Sequence, residues 1–444
     1  MSAFEPVRFA ALTDVGVKRS HNQDACAANP AVDAAGFASQ GHVFVVADGM
    51  GGHAVGEKAS AKAVRDIPFL YSKHARDGVI PAIRRAFQET NAGIFAIGQQ
   101  NPEFRGLGTT STALVLRPEG AWVGHVGDSR AYRIRAGQAE QLTFDHSWVW
   151  EIAKRQGVDP DELGDFKKNV IIRSLGPDPD VEVDIEGPHP VLPGDAFLLC
   201  SDGLTGVVTP QEVGAAVTAL DPDEAARFRV HLANLRGGPD NIPVMIVQTP
   251  GGEAPGKKAK KARRPGVPAR LLGWWNRRVP WPFSLLGAGC AVALFSLVVQ
   301  QAAFPGASMF FVVAALLILA GVVGLVVQYR KEPPPGGVEL AADDAPRELK
   351  VYKRHDCILT AELTEKFAQT EASLLQGMRG QKVPADFDAH AKLVAEAEAA
   401  REKGDFGAAF RARCASLLFL AEAFHKARHK EESFRPNWTP PPSP

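Results

Sequence analysis

The sequence predicts an α+β fold in which antiparallel sheets are covered by helices. Short apolar or β-branched runs recur over roughly the first 250 residues, with helical stretches at 56–67 and 79–97 between them. Strands and helices do not alternate strictly, so a parallel Rossmann-type sheet is a poorer interpretation. The runs predicted as strands are 43–47, 112–116, 121–126, 131–135, 196–200 and 244–248.

Changes in composition divide the 444 residues into segments. The mixed α and β domain is predicted over 5–249, and the formal net charge of zero gives no overall reason to expect nucleic-acid binding. The segments predicted after it are a basic, proline-containing linker at 250–280, an apolar segment at 281–329, a proline-rich connector at 330–349, a helical tail at 350–432 and a disordered end at 433–444.

The apolar segment predicts a transmembrane hairpin. Residues 279–329 carry no charged side chain, and this run is longer than the roughly 20 residues of one span. We expect two spans at 283–303 and 307–327, with Trp281 and Tyr329 at the interfaces. Basic residues flank both ends, so the positive-inside rule predicts a multi-pass protein of the inner (cytoplasmic) membrane, with the domain and the tail in the cytoplasm. The alternative is an apolar core hairpin in a soluble domain.

The tail carries an apolar stripe at helical spacing. A turn at 404–406 separates this helix from another near 387–403. We favour a small helical pair over a tetratricopeptide unit, because the matching segment GDFGAAF occurs once. The stripe consists of Phe406, Phe410, Cys414, Leu417, Ala421 and Phe424.

The cysteines fit neither a disulfide framework nor the spacing of a zinc site. We therefore expect reduced thiols, as in the cytosol. Residues 1–14 lack the long apolar segment of a secretory signal peptide. The five cysteines are Cys26, Cys200, Cys290, Cys357 and Cys414.

Four aspartates lie beside apolar runs, each next to a glycine or an asparagine. A single Asp-Gly pair is ordinarily a turn or a cap. Several carboxylates at one end of a β-rich core are instead typical of a site for Mg²⁺ or Mn²⁺. Arg19 adds a cation that can hold an anionic substrate, so the pattern indicates phosphate chemistry. The four aspartates are Asp48, Asp128, Asp202 and Asp240.

Eight short motifs carry a family resemblance. They are GVKRSHNQD (16–24), DGMGGH (48–53), GTT (108–110), VGDSR (126–130), LTFDHS (142–147), IRSLG (172–176), SDGL (201–204) and DN (240–241). In this order they resemble the bacterial type 2C (metal-dependent, PPM-type) Ser/Thr protein phosphatases. The resemblance covers a little over half of the chain and does not extend to the tail.

The resemblance implies a four-layer α/β/β/α sandwich with two central antiparallel sheets flanked by helices. It implies that Asp48 bridges two metal ions and that the Gly49 carbonyl helps to bind one of them. Asp202 and Asp240 would complete the shell of the first ion. The implied cofactors are two or three ions of Mn²⁺ or Mg²⁺.

Three further roles are implied by the same resemblance. Asp24 would act near the metals through water, and Asp128 would form a third metal site with Asp202. Arg19 would grip the substrate phosphate, which makes it a catalytic residue together with Asp48. A water between two cations loses a proton near neutral pH and can attack phosphorus in line.

These features predict a membrane-anchored phosphatase acting on phosphoserine and phosphothreonine in proteins. The expected partners are phosphorylated proteins, an opposing Ser/Thr protein kinase and the membrane, with no nucleic acid. The alternative is a catalytically weak phosphoprotein-binding scaffold or regulator at the membrane. The intact set of Arg19, Asp48, Asp202 and Asp240 argues against a scaffold, and metal-dependent turnover separates the two.

The resemblance also implies that residues 145–176 form a flap beside the active site that helps to choose substrates. The flap carries an acidic patch. We favour a solvated loop for these acids over a role in selecting basic peptides. The patch consists of Asp159, Asp161, Glu162 and Asp165.

Overall fold

The chain forms two compact units. The first contains residues 1–257 and 347–444, and the second contains 258–346. The structure is a computed structural model that describes residues 6–51, 56–163, 170–251, 307–331 and 349–433, together with 287, 289–290, 292–296 and 300.

The first unit is built on two sheets. Its described strands are β1 (Arg8–Asp14), β2 (Asp24–Asn29), β3 (His42–Met50), β4 (Gly108–Thr109), β5 (Ser111–Arg117), β6 (Gly120–Val126), β7 (Arg130–Arg135), β8 (Gln138–Gln141), β9 (Asp184–His189), β10 (Ala196–Cys200), β11 (Ile242–Gln248) and β12 (Lys353–Asp356). Sheet one has the order β1-β11-β10-β7-β8-β12, and sheet two has the order β2-β3-β5-β6-β9, with β4 paired to β3. All of these pairings are antiparallel.

Helices cover the outer faces of both sheets. The helices with defined bounds are α1 (Ala34–Ser39), α2 (Gly56–His74), α3 (Val79–Gln100), α4 (Trp148–Gln156), α5 (Asp202–Thr205), α6 (Pro210–Ala219), α7 (Pro222–Leu235), α8 (Ala307–Lys331), α9 (Ala361–Gly380), α10 (Phe387–Glu402) and α11 (Phe406–Ser433). Short 3₁₀ turns lie at Ala75–Asp77, Pro102–Phe104 and Pro160–Leu163.

The core has three apolar layers. Phe44, Leu114 and Phe197 are among the buried residues that fill the space between the two sheets. A second layer joins sheet two to α2 and α3, and a third joins sheet one to α6 and α7. The central strands are therefore buried on both faces, which explains why they are continuous apolar runs rather than alternating ones. The predicted four-layer sandwich is confirmed.

The tail belongs to the first unit. β12 pairs with β8 at the edge of sheet one, with Lys353 opposite Gln141. The predicted helical pair forms as α10 and α11, and α9 adds a third helix that the sequence analysis did not predict. The stripe on α11 is confirmed in part. Phe410, Cys414 and Leu417 are buried in the core shared with α6 and α7, whereas Phe406 is exposed.

The second unit overturns the predicted membrane hairpin. Helix α8 forms where the second span was expected. Only pieces of 283–303 are described. Within the described part of the chain, no helix is long and apolar enough to cross a membrane. This finding contradicts the two spans and the multi-pass inner-membrane location derived from them. The predicted linker and the C-terminal end lie almost entirely outside the described residues.

Candidate metal and phosphate site

Sheet one brings three of the predicted aspartates to one end. In the antiparallel register, Cys200 at the end of β10 lies opposite Val244 of β11 and Arg130 of β7. Asp202 follows β10, whereas Asp240 precedes β11 and Asp128 precedes β7. All three carboxylates therefore lie at the same end of the sheet. They are Asp128, Asp202 and Asp240.

Sheet two contributes the remaining two carboxylates. Asp24 at the start of β2 pairs directly with Asp48 near the end of β3. Residues opposite each other in an antiparallel pair present their side chains on the same face. Asp24 is only 8% exposed, and its Oδ2 accepts a hydrogen bond of 3.0 Å from Ser201 Oγ on the other sheet. This bond connects the two carboxylate groups of the site across the sandwich.

Burial and mutual repulsion raise the pKa values of the two carboxylates of sheet two. Burial, together with Asp202 and Asp240, raises the pKa of Asp24 to about 7, although hydrogen bonds from Ser201 and Asp48 oppose the shift. The pKa of Asp48 lies well above its usual value, first because of burial and then because of Asp24. A nearby positive charge would relieve this repulsion.

Asp128 shows the same need for a counter-charge. Burial, followed by the charge of Asp202, raises its pKa to about 8. Its Oδ1 atom is buried and has no hydrogen-bond partner among the described residues. Burial and then Asp240 raise the pKa of Asp202 as well. A buried, unpaired carboxylate oxygen is costly unless a cation or a donor reaches it.

The donor chemistry fits a divalent cation of the Mg²⁺ or Mn²⁺ type, because the side-chain donors are all carboxylate oxygens. Within the described residues, no group of three or more His, Cys, Asp or Glu side chains lies at the spacing of a preformed metal site. The carboxylates are nevertheless close enough to raise one another's pKa. We therefore regard them as a converging set of ligands rather than a closed cage.

Asp48 is fixed through its backbone. Its N–H donates to Thr110 Oγ1 at 3.0 Å. Its carbonyl accepts from the Thr110 N–H and from Thr109 Oγ1, both at 2.8 Å. Thr110 Oγ1 also lies 2.7 Å from Ser129 Oγ, next to Asp128. The GTT motif therefore joins the Asp48 strand to the Asp128 turn.

Gly49 permits a close approach of three backbone segments. A Cβ atom added there would lie 2.3 Å from the Gly56 carbonyl oxygen and 2.4 Å from that of Gln23. The Gly49 N–H donates to the Gln23 carbonyl at 3.1 Å. A side chain at this position would force the Asp24 and Asp48 strands apart. The Gly52 and His53 positions of the motif lie outside the described residues.

Arg19 lies beside the carboxylates on an exposed loop. Its Nη2 donates to Asp240 Oδ2 at 2.7 Å, and its side chain is 51% exposed. The hydrogen bond to Asp240 raises the pKa of Arg19 further above its usual value. The guanidinium therefore keeps its positive charge and retains access to a ligand in solvent.

Asn241 holds the Arg19 loop, a role that the sequence analysis missed. Its Nδ2 donates to the carbonyls of Val15 at 2.9 Å and His21 at 3.0 Å. Its Oδ1 accepts from the Gln23 N–H at 2.8 Å. The available signal was the Asp-Asn pair itself, because an amide can bridge backbone donors and acceptors as no aliphatic side chain can.

The flap is tied to the tail rather than left in solvent. Lys353 Nζ of β12 lies 2.8 Å from Asp159 Oδ1 and 2.7 Å from Asp161 Oδ2. It also lies 5.2 Å from the centre of the Trp150 ring. Neither interpretation of these two acids anticipated an intramolecular lysine. Asp165 lies outside the described residues.

The base of the flap is anchored to the Asp128 turn. Arg130 makes a bidentate ion pair with Asp145, with Nε–Oδ1 and Nη2–Oδ2 distances of 3.0 and 2.7 Å. The His146 N–H donates to the Gly127 carbonyl at 2.7 Å. Both contacts lie within predicted motifs, VGDSR and LTFDHS, but the sequence analysis did not predict that these motifs pair with each other.

Comparisons with known proteins show the family of the chain. The family model described as Protein phosphatase 2C matches residues 17–231. Protein phosphatase PhpP of Streptococcus pneumoniae is 37% identical over 242 residues, covering 53% of this chain and 95% of PhpP. The crystal structure of the serine/threonine phosphatase PstP/Ppp of Mycobacterium tuberculosis is 30% identical, with a TM-score of 0.50 over 55% of this chain and all of that one.

A further solved structure is that of a PstP catalytic domain in complex with two manganese ions. It is 29% identical and covers 55% of this chain and 98% of that one, with a TM-score of 0.46. The chain belongs to the protein phosphatase 2C family and is a metal-dependent serine/threonine protein phosphatase, of a type that uses Mn²⁺ or Mg²⁺.

Proposed function

We propose that this chain hydrolyses phosphoserine and phosphothreonine in proteins at a two-metal site at the shared end of the two sheets. The observation that carries the proposal is the convergence of buried carboxylates from both sheets, with raised pKa values, beside the exposed cation Arg19. The cluster of buried carboxylates is not needed to stabilise the sandwich, because buried unpaired charge costs stability.

Asp48 would be the main ligand of the ions, and the Gly49 carbonyl, next to it in the chain, would help to hold one of them. Asp202 and Asp240, which follow β10 and precede β11, would supply further carboxylate ligands. When bound, the ions supply a water nucleophile of lowered pKa and neutralise charge on the phosphate.

Two aspartates have supporting roles in the proposed site. Asp24 would act through water rather than bind an ion directly, since its Oδ2 already accepts a hydrogen bond from Ser201. Asp128, whose buried Oδ1 has no hydrogen-bond partner among the described residues, would hold a further ion together with Asp202.

Arg19 binds the substrate phosphate in this proposal. A guanidinium presents several N–H donors in one plane and matches phosphate oxygens geometrically. One donor is used by Asp240, which aims the group along the carboxylate cluster. Arg19 thereby neutralises charge that develops on the phosphoryl oxygens. The substrates are phosphorylated proteins, and a Ser/Thr protein kinase is the opposing enzyme.

The test is phosphate release from a phosphothreonine peptide by the full chain, with and without Mn²⁺, beside Asp240→Asn. We expect Mn²⁺-dependent turnover in the native chain and a loss of at least 100-fold in the variant. Calorimetric titration with Mn²⁺ gives an independent reading, since the variant should bind the ion more weakly. A folded native chain with no turnover at any metal concentration would overturn the proposal in favour of a phosphoprotein-binding scaffold.

A further inference from the structure

A groove runs between the Arg19 loop, the end of α7 and the tail helices α9 and α11. Its cavity volume is about 1000 Å³. Arg19 and Val17 line one wall, and His231 lies at the end of α7. The opposite wall is formed by tail residues that include Met378 and Phe424. The tail therefore supplies about half of a cavity that opens beside the proposed phosphate site.

The tail wall is a fixed part of the first unit. Phe367 of α9 packs on Phe228 of α7 with ring centres 5.4 Å apart. Lys366 Nζ lies 2.8 Å from the buried Glu212 carboxylate, and Arg227 lies 3.1 Å from Glu422. These contacts hold α9 and α11 against α6 and α7, so the shape of the groove is set before any ligand binds.

The lining of the groove is mostly uncharged. Of its described lining residues, only Asp14 and Arg19 carry a formal charge at neutral pH. The Asp14 carboxylate is already engaged, since Oδ1 accepts from Gly16 N at 2.8 Å and from Asn234 Nδ2 at 3.0 Å. Burial lowers the pKa of His231, which favours its neutral form. Apolar residues, including Leu235, Leu374 and Phe424, share this lining with uncharged polar ones such as Asn234 and Ser373. The groove therefore offers contacts for apolar side chains next to one anionic group.

We propose that this groove binds the polypeptide flanking the phosphorylated residue of the substrate, and that it selects apolar side chains there. The inference rests on the proposed function, because Arg19 links the groove to the phosphate site. A volume of about 1000 Å³ is at the upper end for ligand pockets, which leaves room for several side chains. The tail is thus a substrate-selecting part of the enzyme.

Two glycines of α9 provide a matched test. A Cβ atom added at Gly377 or at Gly380 meets nothing within 4 Å, so both positions accept a side chain. Gly377 lines the groove, and Gly380 is not among its lining residues. Gly377→Trp therefore fills the groove, whereas Gly380→Trp adds the same side chain to the same helix elsewhere. Circular dichroism and thermal unfolding check that both variants fold, and Phe424→Ala is a second groove variant that removes apolar surface instead.

The readout is kcat/KM of the full chain with Mn²⁺ for p-nitrophenyl phosphate and for two phosphothreonine peptides, one flanked by leucine and phenylalanine and one by serine and glycine. We expect the native chain to prefer the apolar peptide by about tenfold. Gly377→Trp and Phe424→Ala should lose this preference, while Gly380→Trp retains it. All should hydrolyse p-nitrophenyl phosphate within about twofold of the native rate, because that small substrate has no flanking residues to contact the tail wall of the groove.

Two results would overturn the inference while leaving the proposed function standing. One is equal use of both peptides by a native chain that is active on p-nitrophenyl phosphate. The other is an apolar preference that both groove variants retain. A folded native chain that hydrolyses none of the substrates would overturn the proposed function and this inference together.

Discussion

Lys353 and Asp161 form an ion pair of 2.7 Å between the tail and the flap. Lys353 is largely buried, at 11% exposure, whereas the Asp161 side chain is 74% exposed. The lysine also contacts Asp159. Burial acts to raise the pKa of the Asp159 carboxyl, but the hydrogen bond from Lys353 acts in the opposite direction and contributes to a pKa below the usual value. One side chain of β12 therefore holds two acids that follow α4, so the tail restrains the segment expected to choose substrates.

Replacing Lys353 should loosen the flap. Lys353→Met removes the charge and keeps most of the apolar stem, so the two acids lose their partner while the contact with Trp150 is partly preserved. We expect faster amide hydrogen exchange over 148–163 by up to about fivefold, since partly exposed ion pairs contribute up to about 1 kcal/mol. Lys350→Met, at an exposed position nearby, is the control. Equal exchange in both variants would show that the pair does not restrain the flap.

Arg19 should be needed for turnover but not for folding. Arg19→Ala removes the proposed phosphate donor from an exposed loop, so we expect kcat/KM for p-nitrophenyl phosphate to fall by about 100-fold or more with an unchanged melting temperature. Arg19→Lys should recover only part of the rate, because an ammonium lacks the planar pair of donors. Lys18→Ala, one residue away, serves as the comparison. A rate equal to that of the native chain would remove Arg19 from the site.

Asn241→Ala should both destabilise the fold and misplace Arg19. The change leaves the Val15 and His21 carbonyls and the Gln23 N–H without their side-chain partner, at a cost of about 1–3 kcal/mol. Urea unfolding gives the stability change, and kinetics on p-nitrophenyl phosphate give the rate. The prediction is contradicted if the rate is unaffected at a temperature where the variant is fully folded.

Glu212 should make stability depend on pH in the acidic range. Burial opposes its ionised form, but hydrogen bonds from Arg236 and Lys366 prevail and lower its pKa to about 2. Because the folded pKa is below the ordinary value, ionised Glu212 stabilises the fold above about pH 4.5. That contribution is lost as the pH falls toward 2.

Glu212→Gln should therefore lower the free energy of unfolding by about 2 kcal/mol at pH 7, after allowance for solvent screening. The difference from the native chain should shrink as the pH falls from about 4.5 toward 2. Urea unfolding at several pH values measures it, with Glu224→Gln on the exposed face of α7 as the control. A difference that stays constant down to pH 2.5 would mean that ionisation of Glu212 is not its cause.

The strands and the aspartates of the site were predictable because their signals are local. A strand buried on both faces is a continuous apolar run, and a carboxylate directly after it lies at a strand end. Asn241 was not predictable in this way, since its three partners come from a loop about 220 residues earlier. Strand β12 was not predicted for a related reason: it is the polar segment KRHD, and only pairing with β8 makes it a strand.

The membrane prediction was wrong for the opposite reason: a local signal was present, but it did not lead to the predicted structure. An uncharged run at 279–329 satisfies the length criterion for two spans, but apolar composition does not define where a helix begins and ends. Within the described residues the helices do not supply the required apolar length.

The pairing of β12 with β8 also sets the order in which this protein can be completed during synthesis. Gln141 and Lys353 are partners in the same sheet, yet at about 5–20 residues per second the ribosome makes the second about 10–40 s after the first. Until then the β8 edge of the sheet has no partner strand and can pair with another chain. Nascent chains should therefore depend on a chaperone or on low local concentration during this interval, and the enzyme acquires its proposed substrate-selecting wall only after α9 and α11 have been made.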